Sequence, residues 1–195
     1  ALRSYPQLRD LYLENNNIGL MGCTALADTL RGWGTSYLKI LDLDNNDIDD
    51  QGLEVLAAGL TNSTLEALYL SGNLITAVGL RSLSDYFQSG SCCLKSLYLD
   101  RVNFGDEGAV VLAGALMGNK SLTSLRFHPD HAGITDVGWA AFSKLLCDPS
   151  SINNTYLSNH NIEKIWGYQS NNNPHDITLF LRFNHLSRHP REAAI

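Results

Sequence analysis

The chain has 195 residues, 44% of them hydrophobic, and a formal net charge of −6. That is long and apolar enough for a cored array, and the acidic balance excludes a general nucleic-acid binder, which needs a basic footprint on phosphate. No run reaches the roughly 18 apolar residues of a membrane span, and the N-terminus lacks a signal-peptide pattern.

Taken in chain order, one unit recurs: L-x-x-L-x-L-x-x-N-x-I followed by a helical stretch. The first copy runs Leu8, Leu11, Leu13, Asn16, Ile18, then Gly22, Leu26 and Leu30 at helical spacing. The second is Leu38, Leu41, Leu43, Asn46, Ile48, Gly52, Leu56, Leu60, and the third Leu65, Leu68, Leu70, Asn73, Ile75, Gly79, Leu83, closing on Phe87. In the fourth, Leu94, Leu97, Leu99, Phe104, Gly108, Leu112 and Leu116 hold, but Val102 takes the Asn position. The fifth has Leu122, Leu125 and Phe127, then a turn enlarged by two residues, His128 to Gly133, before Ile134, Gly138, Phe142 and Leu146. A degraded sixth copy is read at Ile152, Leu157 and Ile162, with Tyr156 between Thr155 and Leu157 as its outward strand residue and His160 in the Asn position. Copy starts at 8, 38, 65, 94, 122 and 152 give a period of 27 to 30 residues.

Within L-x-L the alternation has period two, so each copy predicts a short strand with leucines on one face. Asp49, Thr76 and Thr135 are good N-caps for the helices that follow. Strands pair about 4.8 Å apart whereas helices are about 10 Å wide, so stacked copies splay on the helix side and the strands line a concave face. One copy cannot bury enough apolar surface to stand alone, so stacking and end covers are required. Asn173 as N-cap, Pro174 as first helical residue, then Ile177, Phe180, Leu181 and Leu186 predict a covering helix at the C-terminal end. No comparable N-terminal cover is visible, and the expectation is a fragment of a longer chain.

The period, the Asn and the Gly that opens a full helix resemble the ribonuclease-inhibitor-like subfamily of leucine-rich repeats. The resemblance covers about residues 2–165 and does not extend to the shorter plant type with its Gly-x-Ile-Pro signature. The segment from Asn154 through Ile162 onward also resembles the ends of algal members. What the resemblance implies is an α/β right-handed leucine-rich-repeat solenoid, a horseshoe with a parallel concave sheet and convex α-helices. Residues 1–165 would form the array of about five full repeats plus a degraded sixth, and 166–195 a capping segment.

Two outward rows follow from the period: Tyr12, Asp42, Tyr69, Tyr98, Arg126 and Tyr156, then Glu14, Asp44, Ser71, Asp100, His128 and Ser158, with Asn15, Asn45 and Arg101 beside the second. Large amphipathic rings beside a row with three acids and no Lys or Arg suggest a site for a basic protein or peptide. Cross-strand stacking is the alternative explanation of the tyrosines, which favour strands in any case. Asn16, Asn46 and Asn73 read as structural, satisfying turn backbone between copies.

No G-x-S-x-G, phosphate loop or zinc-hydrolase pattern occurs, so neither enzyme, cofactor nor small-molecule substrate is expected. His128, Asp130 and His131 lack a fourth ligand, and no metal is expected. Cys23, Cys92, Cys93 and Cys147 show no metal-site spacing and suit a reducing, cytoplasmic setting. The sequons at Asn62, Asn119 and Asn153 read as incidental in an Asn-rich chain. Residues 152–195 carry four bases against three acids, with His185 and His189 nearby, and could form a second contact surface. Two other roles fit the resemblance: a small-GTPase regulator of the activating-protein type, with Arg101 as its nominated arginine, and the sensing or autoinhibitory region of a larger receptor.

Overall fold

The structure, a computed structural model, describes residues 7–32, 37–61, 63–166 and 175–188. Its elements alternate: β1 Asp10–Tyr12, α1 Gly19–Gly32, β2 Ile40–Asp42, α2 Asp50–Leu60, β3 Ala67–Tyr69, then α3 Ala77–Arg81 and α4 Ser84–Gln88, and β4 Ser96–Tyr98. There follow α5 Gly105–Leu116, β5 Ser124–Arg126, α6 Pro129–Ala132, α7 Asp136–Leu146, α8 Ile152–Leu157, β6 Lys164–Trp166 and α9 His175–Arg188. The strands form one six-stranded parallel sheet in sequential order. Leu11, Leu41, Leu68, Leu97, Leu125 and Ile165 stand in register across it. From Leu41 to Ile165 these central side chains, with the helix leucines, make one continuous buried core, against which the partly buried Leu11 packs.

The predicted N-caps form: Asp49 accepts from the Gly52 N–H, Thr76 from Val78 and Thr135 from Val137. At two of the helix starts the glycine is required by close approach. A Cβ at Gly79 would lie 2.5 Å from Asp50 Oδ1, and one at Gly138 2.7 Å from Asp106 Oδ1. Those carboxylates clasp the next coil, Asp50 accepting from both N–H and hydroxyl of Thr76 and Asp106 from those of Thr135. The bonds from Thr135 hold the Asp106 carboxyl below the usual carboxylate range.

Between coils, Asn73 Nδ2 donates to the carbonyls of Leu43 and Leu70, both at 2.9 Å, and its Oδ1 accepts from the N–H groups of Asn46 and Ile48, both at 3.0 Å. Asn46 donates to Leu13 and Asp44, while, among the described residues, the exposed Asn16 reaches only its own coil. Val102, fully buried in the Asn position, ends this ladder. A second ladder takes over where chain enters strand: Asn119 Oδ1 accepts from Ser121 and Leu122, Asn159 Oδ1 from Asn161 and Ile162, and Asn184 Nδ2 donates to Asn159 and Ile162. Asn119 is therefore a buried structural residue, 4% exposed, and its sequon is occupied by packing.

The sixth copy departs from its sequence reading. Ser151 caps Asn154 N–H and starts helix α8 over Ile152–Leu157, where a strand is expected. The strand forms instead at Lys164–Trp166, with Ile162 and Ile165 as its buried apolar residues. Tyr156 accordingly leaves the concave row: it lies on α8, 81% exposed. Ser158 leaves it too, buried with its hydroxyl bonded to Asp148 N–H and Asn154 O. Helix α9 packs against α7 through a face that includes buried Ile177 and Leu181. Its proposed cap residues Asn173 and Pro174, and the start of the chain, lie outside the described residues.

The ladder predicts an asymmetry between two chemically identical changes. Asn73→Leu leaves four buried backbone groups unpaired and should cost about 2–4 kcal/mol in urea denaturation, whereas exposed Asn16→Leu should cost less than about 1 kcal/mol. Equal losses would contradict the ladder's role.

Candidate functional site

The outward positions align into columns because the register is unbroken. Asp10, Ile40, Ala67, Ser96, Ser124 and Lys164 form one, and Tyr12, Asp42, Tyr69, Tyr98, Arg126 and Trp166 the next. Trp166 thus holds the position assigned from sequence to Tyr156. The spacing Asn119-x-x-Leu122, repeated as Asn159-x-x-Ile162, is the signal that would have located this strand. The third column, Glu14, Asp44, Ser71, Asp100 and His128, follows the strands and is tied across coils by Asn15 N–H to Asp44 O, Asn45 N–H to Ser71 O and Gly72 N–H to Asp100 O.

Directly after that column the backbone turns at positive φ: Asn15 at 58°, Asn45 at 55°, Gly72 at 65° and Arg101 at 57°. Pro129 occupies the same place in the fifth coil and cannot adopt positive φ. There the chain enters the one-turn helix α6 instead and leaves it through Gly133, at φ 68°. The enlarged turn is thereby a helix that brings His131 beside His128, ring centroids 4.7 Å apart, with Asp130 Oδ2 3.8 Å from His128 Nδ1.

Gly72 has a second consequence. A Cβ there would stand 2.1 Å from Asn45 Oδ1 and 3.3 Å from Arg101 Nη2. With no side chain between them, Arg101 reaches back over the third coil and donates to Asn45 Oδ1 at 2.9 Å, while Asn45 Nδ2 donates to Asn15 Oδ1 at 3.1 Å. The nominated arginine is part of a polar chain along the turn row.

The tyrosines divide. Tyr69 and Tyr98 stack at 4.0 Å with planes 5° apart, and the Arg126 guanidinium lies 5.9 Å from the Tyr98 centroid. Tyr12 stands apart, 57% exposed. Burial, and then the neighbouring Tyr98, push the Tyr69 phenol up.

The acids divide as well, which corrects the expectation of a uniformly negative row. Asp100 Oδ2 accepts from Arg126 Nε at 2.6 Å, and both side chains are largely covered. Its charge is neutralised. Among the described residues Asp44 has no such cation in contact: its Oδ1 accepts from Ser71 N–H at 2.6 Å, and burial together with the charge of Asp42 pushes its carboxyl up to about 6 against the opposing pull of Ser71 and Arg101. Asp42 is raised too, by burial and by Glu14, although the Asp44 N–H bonded to it at 3.0 Å pulls the other way. The net acidic ground is Glu14, Asp42 and Asp44 on the first two coils.

Asp44, Ser71, Asp100, Arg101, Arg126, His128 and His131 line a concavity of about 470 Å³ over the middle and later strands. Among the described residues no hydrogen-bond partner reaches Asp100 Oδ1 or His128 Nδ1, both buried atoms on residues of that basin.

A parallel sheet of near-identical coils, with helices on its outer side, defines a leucine-rich-repeat solenoid. Two family models, "Leucine Rich repeat" and "Leucine Rich Repeat", match residues 36–57 with 61–84, and 93–112. The chain is 34% identical over 149 residues to human "NACHT, LRR and PYD domains-containing protein 14", spanning 76% of this chain and 13% of that one. It is 30% identical over 148 residues to pig ribonuclease inhibitor, spanning 60% of this chain and 32% of the relative. Among solved structures it resembles "Leiomodin-1 Actin-Binding Site 2 (ABS2)", with a TM-score of 0.64, 16% identity, and coverage of 89% of this chain and 93% of that one. The Caenorhabditis elegans tropomodulin C-terminal domain gives a TM-score of 0.60 at 16% identity, covering 89% of this chain and 99% of that one. The chain is a leucine-rich-repeat protein of the ribonuclease-inhibitor-like type.

The geometry of Gly72 is checked by a pair of changes. Gly72→Ala should destabilise by about 1–2 kcal/mol, through positive φ and collision with Asn45. Arg101→Gly, already in a backbone conformation that suits glycine, should stay within about 0.5 kcal/mol of wild type in chemical denaturation. A reversed order would show that the turn row is not built as described.

Proposed function

We propose that this protein is an interaction module that holds a basic segment of another protein against the concave face of its early coils. Leucine-rich-repeat proteins generally serve as protein-interaction scaffolds, and the finer reading rests on one observation. Tyr69 and Tyr98, stacked face to face, stand beside Asp42 and Asp44, whose carboxyls are partly desolvated with no cation in contact among the described residues. A lysine or arginine placed there lowers the cost of ionising both and packs its apolar stem beside the tyrosine pair. Tyr12 and Glu14, both exposed, extend the surface over the first coil. The mechanism is binding alone, with no catalysis, cofactor or metal, and the same proposal sets it in a reducing, cytoplasmic compartment. No helix among the described residues is long and apolar enough to cross a membrane.

The NACHT, LRR and PYD relatives, of which this chain spans about an eighth, favour a second reading: the repeat region of a larger receptor, in which the same face holds either a ligand or another part of the receptor. A GTPase-regulating role through Arg101 is less well supported, since that arginine is bonded to Asn45 and none of the relatives named above is of that kind.

A fluorescent lysine-rich peptide titrated by anisotropy tests the proposal. Asp42→Asn/Asp44→Asn/Tyr98→Ala, confirmed folded by circular dichroism, should bind at least about tenfold more weakly than wild type. Equal affinity would remove the concave face from the account. The pH dependence has a fixed sign. A bound cation draws the Asp44 carboxyl down from about 6, so affinity is full above that pH and is lost as pH falls below it. Measured affinity should therefore be lower at pH 5 than at pH 7.5, and the opposite trend would exclude Asp44 as a contact.

A further inference from the structure

We infer that Arg101 is an intramolecular occupant of the concave site: its guanidinium holds the place that a partner's cation takes on binding, and must be displaced for a basic segment to engage. The inference rests on the concave-face reading above and concerns what regulates that same site.

The backbone at Arg101 is unusual for its residue type. Positive φ is a conformation that glycine adopts freely and asparagine tolerates, and the same turn place holds Asn15, Asn45 and Gly72 in the first three coils. In the fourth coil it holds Arg101, at φ 57°. An arginine there carries backbone strain that Asn or Gly largely avoids, and strain of this kind collects at functional positions.

The side chain is then aimed at the acids. Across the gap left by Gly72, Arg101 Nη2 passes over the third coil and donates to Asn45 Oδ1 at 2.9 Å. Asn45 directly follows Asp44, and Asp44 and Arg101 line the same concavity of about 470 Å³. Asp44 feels the charge: Arg101 is among the groups that oppose the upward push of burial and of Asp42 on its carboxyl. The contact that holds the exposed guanidinium is a neutral amide, which leaves it displaceable.

Other cations on this face stand elsewhere. Arg126 is paired with Asp100 at 2.6 Å. Arg9 and Lys39 belong to the row that precedes the strands, where Lys39 binds Glu66 at 3.0 Å; five extended residues separate that row from Asp44, about 16 Å at roughly 3.3 Å each. Lys164 lies on β6, at the far end of the sheet from β1. An incoming lysine therefore meets Arg101 first: to reach Asp44 and the Asn45 amide oxygen it must take the position that the guanidinium holds. A lone cation gains too little there, whereas a segment that also packs beside Tyr69 and Tyr98 gains more, so Arg101 selects against weak, indiscriminate cation binding.

The fluorescent lysine-rich peptide, titrated at about pH 8 so that Asp44 is ionised, tests this on wild type, Arg101→Gly, Arg101→Lys and Lys164→Gln. Arg101→Gly, which suits the positive φ, should bind the peptide about threefold or more tightly than wild type, and Arg101→Lys, which keeps the charge, should stay within about twofold of it. Lys164→Gln makes the same change in net charge away from Asp44 and should alter affinity by less than about 1.5-fold. Followed by carbon NMR, the Asp44 carboxyl should titrate above its midpoint of about 6 in Arg101→Gly and keep that midpoint in Lys164→Gln. Weaker binding by Arg101→Gly, an equal gain from Lys164→Gln, or an Asp44 midpoint unmoved by Arg101→Gly overturns the role of Arg101, while the basic-segment reading stands as long as wild type binds. If wild type does not bind the peptide, that reading falls and this one with it.

Discussion

A strand pair is held at about 4.8 Å, and this spacing governs everything else in the molecule. At that distance a coil of strand, turn and helix cannot satisfy its own turn backbone, and the next coil is near enough to do it. Asn73 shows the arrangement at full strength, serving backbone groups of its own coil and of the one before. Where Val102 interrupts the ladder, the Asn119, Asn159 and Asn184 series ties the opposite corner of the later coils. Because the stacking is exact in register, any residue type in an outward position becomes a column, and the columns are the surface on which function can be written.

The surface is not uniform, and the difference between its halves has a physical origin in two turn residues. Gly72 leaves a gap through which Arg101 crosses to Asn45, bringing a cation toward Asp44 without neutralising it. Pro129 forbids the usual left-handed turn and replaces it with α6, so that two histidines flank the later strands where the earlier coils have only short polar turns. Backbone conformation, set by single residues, thus determines which charges meet.

The repeat was legible in the sequence because leucine spacing and helix caps report directly on burial: Leu41, Leu68 and Leu97 are fully buried in register, and Asp49, Thr76 and Thr135 cap as their types suggest. The placement of Tyr12, Asp42, Tyr69, Tyr98 and Arg126 on one surface was equally accessible, since period two admits no other face. Pairwise electrostatics were not. That Arg126 neutralises Asp100 depends on a side chain crossing between adjacent coils, and no linear pattern encodes its direction. The last strand was misplaced because Ile152 and Leu157 mimic the leucine spacing, while Ser151 and the following residues gain more from a local cap and helical turn.

Amide chemical-shift mapping with the lysine-rich peptide tests the central claim most directly, because it locates contact residue by residue without altering the protein. The account predicts perturbations concentrated at β2 to β4 and the turns after them, at Asp42, Asp44, Tyr69, Ser71 and Tyr98, with α2, α5 and α7 silent on the convex side. Perturbations confined to those helices or to α9, with the strand amides unchanged at saturation, would contradict it.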